Sequence, residues 1–145
     1  MHDSPQTADI KRSFARATPL DAQMTAYSIV IPAYNEADNI EPLYAEIIAA
    51  MQEVEGTFEI VFVDDGSRDY TGSVLARLTA ADPTVRVVRL ETNCGKTAAL
   101  HAGFTLSNGK WVIMMDADRQ NDPRDIPRLV EAAATADMVC GRRMR

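Results

Sequence analysis

From Tyr27 onward, short apolar runs alternate with stretches of helical periodicity. Ser28-Ile29-Val30-Ile31 is a β-branched apolar run stopped by Pro32, which predicts a buried strand. Ile40, Leu43, Tyr44, Ile47, Ile48 and Met51 then fall on one stripe of period 3.6, predicting a helix that Gly56 closes. Glu59 to Val63 reads as a second strand. Val74, Leu75 and Leu78 mark a second helix, ended near Asp82-Pro83. Val85 to Leu90 is a third strand, and Lys96 to Ser107 an Ala-rich third helix closed by Asn108-Gly109. Trp111 to Met115 is a fourth strand. Asp122-Pro123 pairs an N-cap with a proline at the first helical position, opening a helix that carries Ile126, Leu129, Val130 and Ala133. Met138-Val139-Cys140 begins a fifth strand.

Strand–helix units with continuously apolar strands predict an α/β fold: an open, mostly parallel sheet with helices on both faces. The ordered domain is expected over 27–145. Residues 1–26 are rich in Ser, Thr, Pro, Gln and Asp without sustained periodicity, and read as a flexible leader. Within it, 10–16 has the alternative of a short basic amphipathic turn against a membrane surface. There is no internal repeat.

A length of 145 residues suits one domain with a real core. The formal net charge of −6 argues against a nucleic-acid partner, which calls for a basic face. Cys94 and Cys140 have no neighbours at zinc-ligand spacing and read as reduced thiols of a cytoplasmic protein. No apolar run approaches the roughly 20 residues that span a bilayer, and no signal-peptide pattern opens the chain.

Ligands of open α/β sheets bind outside the carboxyl ends of the strands. The segments there are Pro32-Ala33-Tyr34-Asn35-Glu36, Asp64-Asp65-Gly66-Ser67, Asn93-Cys94-Gly95-Lys96, Asp116-Ala117-Asp118-Arg119-Gln120 and Gly141-Arg142-Arg143. Four carboxylates gathered on one edge repel unless a cation or hydrogen-bond donors offset them. Asp116 and Asp118 leave a strand at alternate positions and can direct two carboxylates toward one ion, with Gln120 as a third oxygen. Such hard ligands suit Mg²⁺ or Mn²⁺ and leave positions for diphosphate oxygens; the plainer reading is a loop that caps the next helix.

Asp64 and Asp65 can accept from a base or a ribose, or shape a tight turn with Gly66. Both are expected to be partly exposed at the strand end. A phosphoacceptor receiver domain would carry its acidic pair after the first strand, not the second. Asn93 to Thr97 fails the P-loop pattern, because Leu90 stands where its first glycine belongs. Lys96 is placed to approach a phosphate from a helix start or to remain solvated. Tyr34 is suited to stack on a base or to sit in the core. His101 has no evident partner. A nucleotidyltransferase would show a glycine-rich basic loop after the first strand, which Pro32 to Glu36 is not.

Taken in order, Ile29 to Glu36, Val63 to Ser67, Asn93 to Lys96, Met115 to Gln120 and Gly141-Arg142 resemble family 2 glycosyltransferases of the GT-A fold. The nearest resemblance is to the dolichol-phosphate mannose synthase branch and its bacterial polyprenyl-phosphate relatives. It implies an inverting, metal-dependent transfer from a UDP- or GDP-sugar, with a polyprenyl phosphate as candidate acceptor. Pro32, Tyr34, Glu36 and Asp64 or Asp65 would hold the nucleoside. Asp116, Asp118 and Gln120 would hold Mg²⁺ or Mn²⁺ against the diphosphate. Lys96, Ala117, Arg142 and Arg143 would lie against the phosphates or the sugar.

Two departures accompany the resemblance. Arg119 stands where relatives carry an apolar residue. The chain also stops at Arg145, where relatives continue with an acceptor-binding half. No acceptor-side base is evident, so donor binding without transfer is the alternative function. A sheet edge left uncovered past the fifth strand favours self-association. A lipid acceptor places the protein in the cytoplasm at the inner face of a membrane.

Overall fold

The computed structural model describes residues 25–142. The leader expected over 1–26 lies outside the described residues except for its last two, and those already join the sheet. The Thr25 and Ala26 carbonyls accept from Lys110 and Trp111 at 2.9 and 3.0 Å.

The elements are β1 (Tyr27–Ala33), α1 (Ala37–Met51), β2 (Phe58–Asp64), α2 (Thr71–Ala81), β3 (Val85–Arg89), α3 (Lys96–Leu106), β4 (Trp111–Met114), a 3₁₀ turn (Pro123–Asp125) and α4 (Ile126–Ala133). The strands form one sheet in the order β3-β2-β1-β4, every pair parallel. Alternate side chains feed two cores. Ile29, Ile31, Ile60 and Phe62 pack with Ile40, Leu43 and Ile47 of α1 and Leu75 of α2. Val30, Val61, Val63 and Val88 pack on the other face against Ala99 and Ala102 of α3. Burial on both faces is why these strands read as unbroken apolar runs.

Two departures concern the strands. Met138, Val139 and Cys140 form no strand, and Met138 is largely exposed. Three apolar residues fall short of the usual strand of about 5–6 and provide few ladder bonds. Among the described residues, β4 is therefore the outermost strand on this side of the sheet. The first strand, conversely, does not stop at Pro32. It stays paired with β2 through Ala33, whereas its pairing with β4 ends at Val30 and Met114. The Val30 carbonyl accepts from Met115 at 3.1 Å and the Ala33 carbonyl from Asp65 at 2.9 Å. Backbone groups alternate in direction, so the missing donor of Pro32 faces β4, where the two strands part. Proline interrupts no bond to β2.

The amino ends of the strands are tied by a buried polar knot that the sequence reading did not anticipate. Glu59 opens the apolar run of β2, yet it is 2% exposed. Its Oε1 accepts from Ser28 Oγ at 2.6 Å and from the Asn108 backbone at 2.7 Å. Its Oε2 accepts from Arg86 Nη1 at 2.8 Å. Arg86 also donates to the Leu106 carbonyl, and Gly109 N–H to Ser28 Oγ, both at 2.8 Å. Gly109 serves close approach: a Cβ there would come within 2.4 Å of the Ser28 nitrogen. One carboxylate thus links β1, β2, β3, the end of α3 and the turn into β4. Burial pushes the Glu59 carboxyl up, but the bonds from Ser28, Asn108 and Arg86 and the Arg86 charge outweigh it and hold it below its usual 4.5.

Candidate functional site

The chain steps from β1 outward through β2 to β3, then crosses to the far side of β1 to lay down β4. The strand order therefore reverses between β1 and β4, the place where doubly wound sheets open a crevice. A cleft of about 320 Å³ lies at the carboxyl ends of the strands. Every strand contributes to it. Pro32, Ala33, Tyr34 and Glu36 come from the end of β1, Asp65 from β2, and Asn93, Gly95 and Lys96 from the turn after β3. Asp116, Ala117 and Asp118 follow β4. Its size suits a small-molecule site.

The first three loops are stitched together by backbone-directed hydrogen bonds. Asn35 adopts a φ of 53°, its N–H donates to Ser67 Oγ at 2.9 Å, and its Oδ1 accepts from Arg68 N at 2.9 Å. Glu36 N–H donates to Thr71 Oγ1 at 2.8 Å. Gly66 has a φ of 69°, and a Cβ on it would lie 2.5 Å from the Thr92 carbonyl carbon. Only glycine lets the loop after β2 lie against the turn after β3.

Asp64 and Asp65 differ in role, and neither is partly exposed as expected. Asp64 is fully buried and Asp65 nearly so. The Asp64 Oδ1 accepts from Ser67 N at 2.9 Å. Its Oδ2 has no hydrogen-bond donor and lies 3.6 Å from Arg89 Nε and 3.5 Å from the Cβ position of Gly72, away from the cleft lining. Asp65 lines the cleft but is already engaged: Oδ1 accepts from Cys94 N at 2.7 Å and Oδ2 from Gly95 N at 2.9 Å. Backbone donors satisfy both oxygens of Asp65 and one of Asp64, whose other oxygen has only the Arg89 charge nearby.

The loop after β4 is held from two sides. Asp116 N–H donates to Asn121 Oδ1 at 2.9 Å, and Asp118 Oδ1 accepts from Gln120 N at 3.1 Å. Arg119 adopts a φ of 61° and turns its guanidinium to Glu46 on α1. The residue that departs from the resembled pattern thus leans on a neighbouring helix and does not line the cleft. Lys96, the first residue of α3, forms an ion pair with Asp116.

Asp116 and Asp118 offer hard carboxylate oxygens of the kind Mg²⁺ and Mn²⁺ take. No group of three or more His, Cys, Asp or Glu among the described residues is placed to hold a metal. Two carboxylates alone leave most of a divalent ion's roughly six positions to other oxygens. Gln120 and Arg142 are exposed and lie outside the cleft lining, and Arg143 falls outside the described residues. His101 lies exposed on α3, and both cysteines are free and exposed. No described helix is long and apolar enough to cross a membrane.

Known proteins resemble the chain in sequence and share this sheet. An undecaprenyl-phosphate 4-deoxy-4-formamido-L-arabinose transferase of Pseudomonas aeruginosa is 47% identical over 115 residues, covering 79% of this chain and 34% of that protein. The transferase of the same name from Edwardsiella ictaluri is 48% identical over 108 residues, covering 73% and 33%. The chain thus spans about a third of the length of the curated relatives it matches. Among solved structures, a mannosyltransferase of Pyrobaculum calidifontis in complex with GDP-Man and Mn²⁺ superposes with a TM-score of 0.58 at 27% identity, covering 84% of this chain and 37% of that one. Glucosyl-3-phosphoglycerate synthase of Mycobacterium tuberculosis, in complex with Mn²⁺, UDP and phosphoglyceric acid, gives 0.61 at 25% identity, with coverages of 90% and 43%. The parallel sheet and these neighbours make the fold GT-A. The model for glycosyl transferase family 2 matches residues 28–145, and the chain belongs to that family.

Proposed function

We propose that this chain carries the donor site of an inverting, divalent-metal-dependent glycosyltransferase that moves a sugar from a UDP- or GDP-sugar to a polyprenyl phosphate. The observation that carries the reading is the cleft at the β1/β4 reversal, where all four strand-end segments meet. Tyr34 is 41% exposed at the rim and offers a ring face to the base. Glu36 supplies an oxygen on the nucleoside side, and Asp65 holds in place the turn that brings Asn93 and Lys96 there. Asp116 and Asp118 would hold the metal of the Asp-x-Asp motif and Lys96 and Ala117 would face the phosphates or sugar, with Gln120 and Arg142 approaching only from outside the cleft lining. Pro32 shapes the floor, and Asp64 supports the site from beneath. When bound, Mg²⁺ or Mn²⁺ supplies Lewis-acid stabilisation of the charge building on the departing diphosphate.

The carboxylates lining the cleft are Glu36, Asp65, Asp116 and Asp118. The last two are assigned to metal, and Asp65 is committed to Cys94 and Gly95. Little is left to deprotonate a hydroxyl acceptor. A phosphate monoester is already anionic near neutral pH and needs no such base, which favours a lipid phosphate over a sugar hydroxyl. Such an acceptor places the chain in the cytoplasm at the inner face of a membrane. Val112 and Met114 are exposed on the face of β4 that continues from Val30, and the backbone edge beside them, free among the described residues, is where a second copy would pair.

Calorimetric titration with UDP- and GDP-sugars, with Mn²⁺ and with EDTA, tests the reading. One donor class is expected to bind only with metal, and Asp118→Ala to lose at least tenfold in affinity, about 1.4 kcal/mol. A surface Asp usually costs within about 0.5 kcal/mol. Equal affinity with EDTA and with Mn²⁺ would sink the metal role.

A further inference from the structure

The charges of the cleft are unevenly satisfied. Of its lining residues, Lys96 alone is basic. Asp65 accepts from two backbone donors, and Glu36 Oε2 accepts from Asn39 Nδ2 at 2.7 Å. Asp118 accepts from the Gln120 backbone. Asp116 differs in that its oxygen is held by a side-chain cation, the Lys96 ammonium. Asp116 is also one of the two carboxylates proposed for metal. The ammonium occupies one acceptor site on a single Asp116 oxygen, and its positive charge opposes the approach of a divalent ion to that carboxylate.

The pair is also easily exchanged. The side chains are 57% and 36% exposed, and solvent-accessible ion pairs contribute little net free energy. Lysine is suited to such exchange: its charge sits on a flexible four-carbon stem with three rotatable donors, so it can turn to a second anion from the same Cα. A diphosphate in the cleft is that second anion.

We propose that Lys96 is a displaceable counter-ion for Asp116. Without donor it holds the carboxylate; with donor it turns to the diphosphate and releases Asp116 to the divalent ion. Ion and donor are thereby coupled, each binding better with the other, and the coupling is reciprocal. This rests on the metal role proposed above for Asp116 and Asp118, and adds to it a residue that makes metal capture conditional on the donor.

The test measures free Mn²⁺ by electron paramagnetic resonance in titrations of the full chain, with and without UDP or GDP. Wild type is expected to bind Mn²⁺ weakly alone and more tightly with the matching nucleotide. Lys96→Gln is expected to bind Mn²⁺ alone about threefold more tightly, and its gain on adding nucleotide is expected to shrink by about threefold or more. Lys96→Arg, which keeps the charge, is expected to stay near wild type. Unchanged Mn²⁺ affinity and unchanged coupling in Lys96→Gln would overturn the proposal. So would weaker Mn²⁺ binding by that variant, which would make Lys96 an organiser of Asp116. If wild type binds no Mn²⁺ with any nucleotide, or Asp118→Ala binds it as wild type does, the metal reading itself fails and the proposal falls with it.

Discussion

Glu59→Ala is expected to lower the unfolding free energy by about 3–5 kcal/mol, the usual cost of removing one partner from a buried charge pair. The variant leaves Arg86 with a side chain 15% exposed and no carboxylate, and leaves the Ser28 hydroxyl and the Asn108 N–H without their acceptor. Glu59→Gln is expected to fare little better, since its amide nitrogen cannot accept from Arg86 or Asn108. Chemical denaturation at neutral pH measures this, and a loss under about 1 kcal/mol would show the knot to be slack. Acid supplies an independent check. The folded carboxyl lies below its usual 4.5, so its stabilisation is complete above that value and is lost as pH falls through the folded pKa. The gap between wild type and Glu59→Gln should therefore be constant at neutral pH and begin to narrow as pH falls below about 4.5.

Asp65→Ala is expected to reduce both stability and nucleotide affinity, and Asp64→Ala chiefly stability. Asp65 accepts two backbone N–H bonds from the turn that begins α3, and hydrogen bonds to a charged group are worth about 1.5–3 kcal/mol each. Water replaces part of that where the turn is exposed, so a net loss near 2 kcal/mol is expected. The freed turn also carries Asn93, Gly95 and Lys96 out of register with the cleft, and a tenfold or greater loss in donor affinity follows. Asp64 anchors Ser67 from outside the lining, so its alanine variant should bind donor within a few-fold of wild type wherever it remains folded. Denaturation curves paired with donor titrations separate the two. A fully stable Asp65→Ala with weak binding would make this carboxylate a direct ligand contact and no scaffold.

How much of this was legible in the sequence depends on what kind of signal each feature leaves. The strands were plain because burial on both faces demands unbroken apolar runs, as in Ile29 to Ile31 and Ile60 to Val63. The stripe of α1 was plain because a helix buries one side: Ile40, Leu43, Ile47 and Met51 are all buried. The strand-end segments followed from parallel topology, and the structure brings residues from four of them to one cleft. Register and partnership left no such trace. Nothing local tells that the missing donor of Pro32 faces away from β2, so the strand was ended too soon. A Glu opening an apolar run looks like a solvated strand start, and only the simultaneous approach of Ser28, Arg86 and Asn108 makes burial of Glu59 tolerable. Partial exposure is the natural reading of Asp64 and Asp65 at a strand end, because the donors that bury Asp65 come from a turn some thirty residues on, whose packing depends on Gly66. The fifth strand failed for the opposite reason: an apolar triplet was visible, but a strand needs length and a partner.

Pro32 has a consequence for the energetics of recognition. Had residue 32 carried an N–H, its donor would have faced β4, and the two strands could have zipped one rung further across the floor of the cleft. The imide nitrogen removes that option covalently, so the gap does not depend on a ligand to wedge it open. A nucleotide entering there meets strands already parted. None of its binding free energy is spent on breaking a sheet hydrogen bond, the kind of ordering cost that preorganised sites avoid.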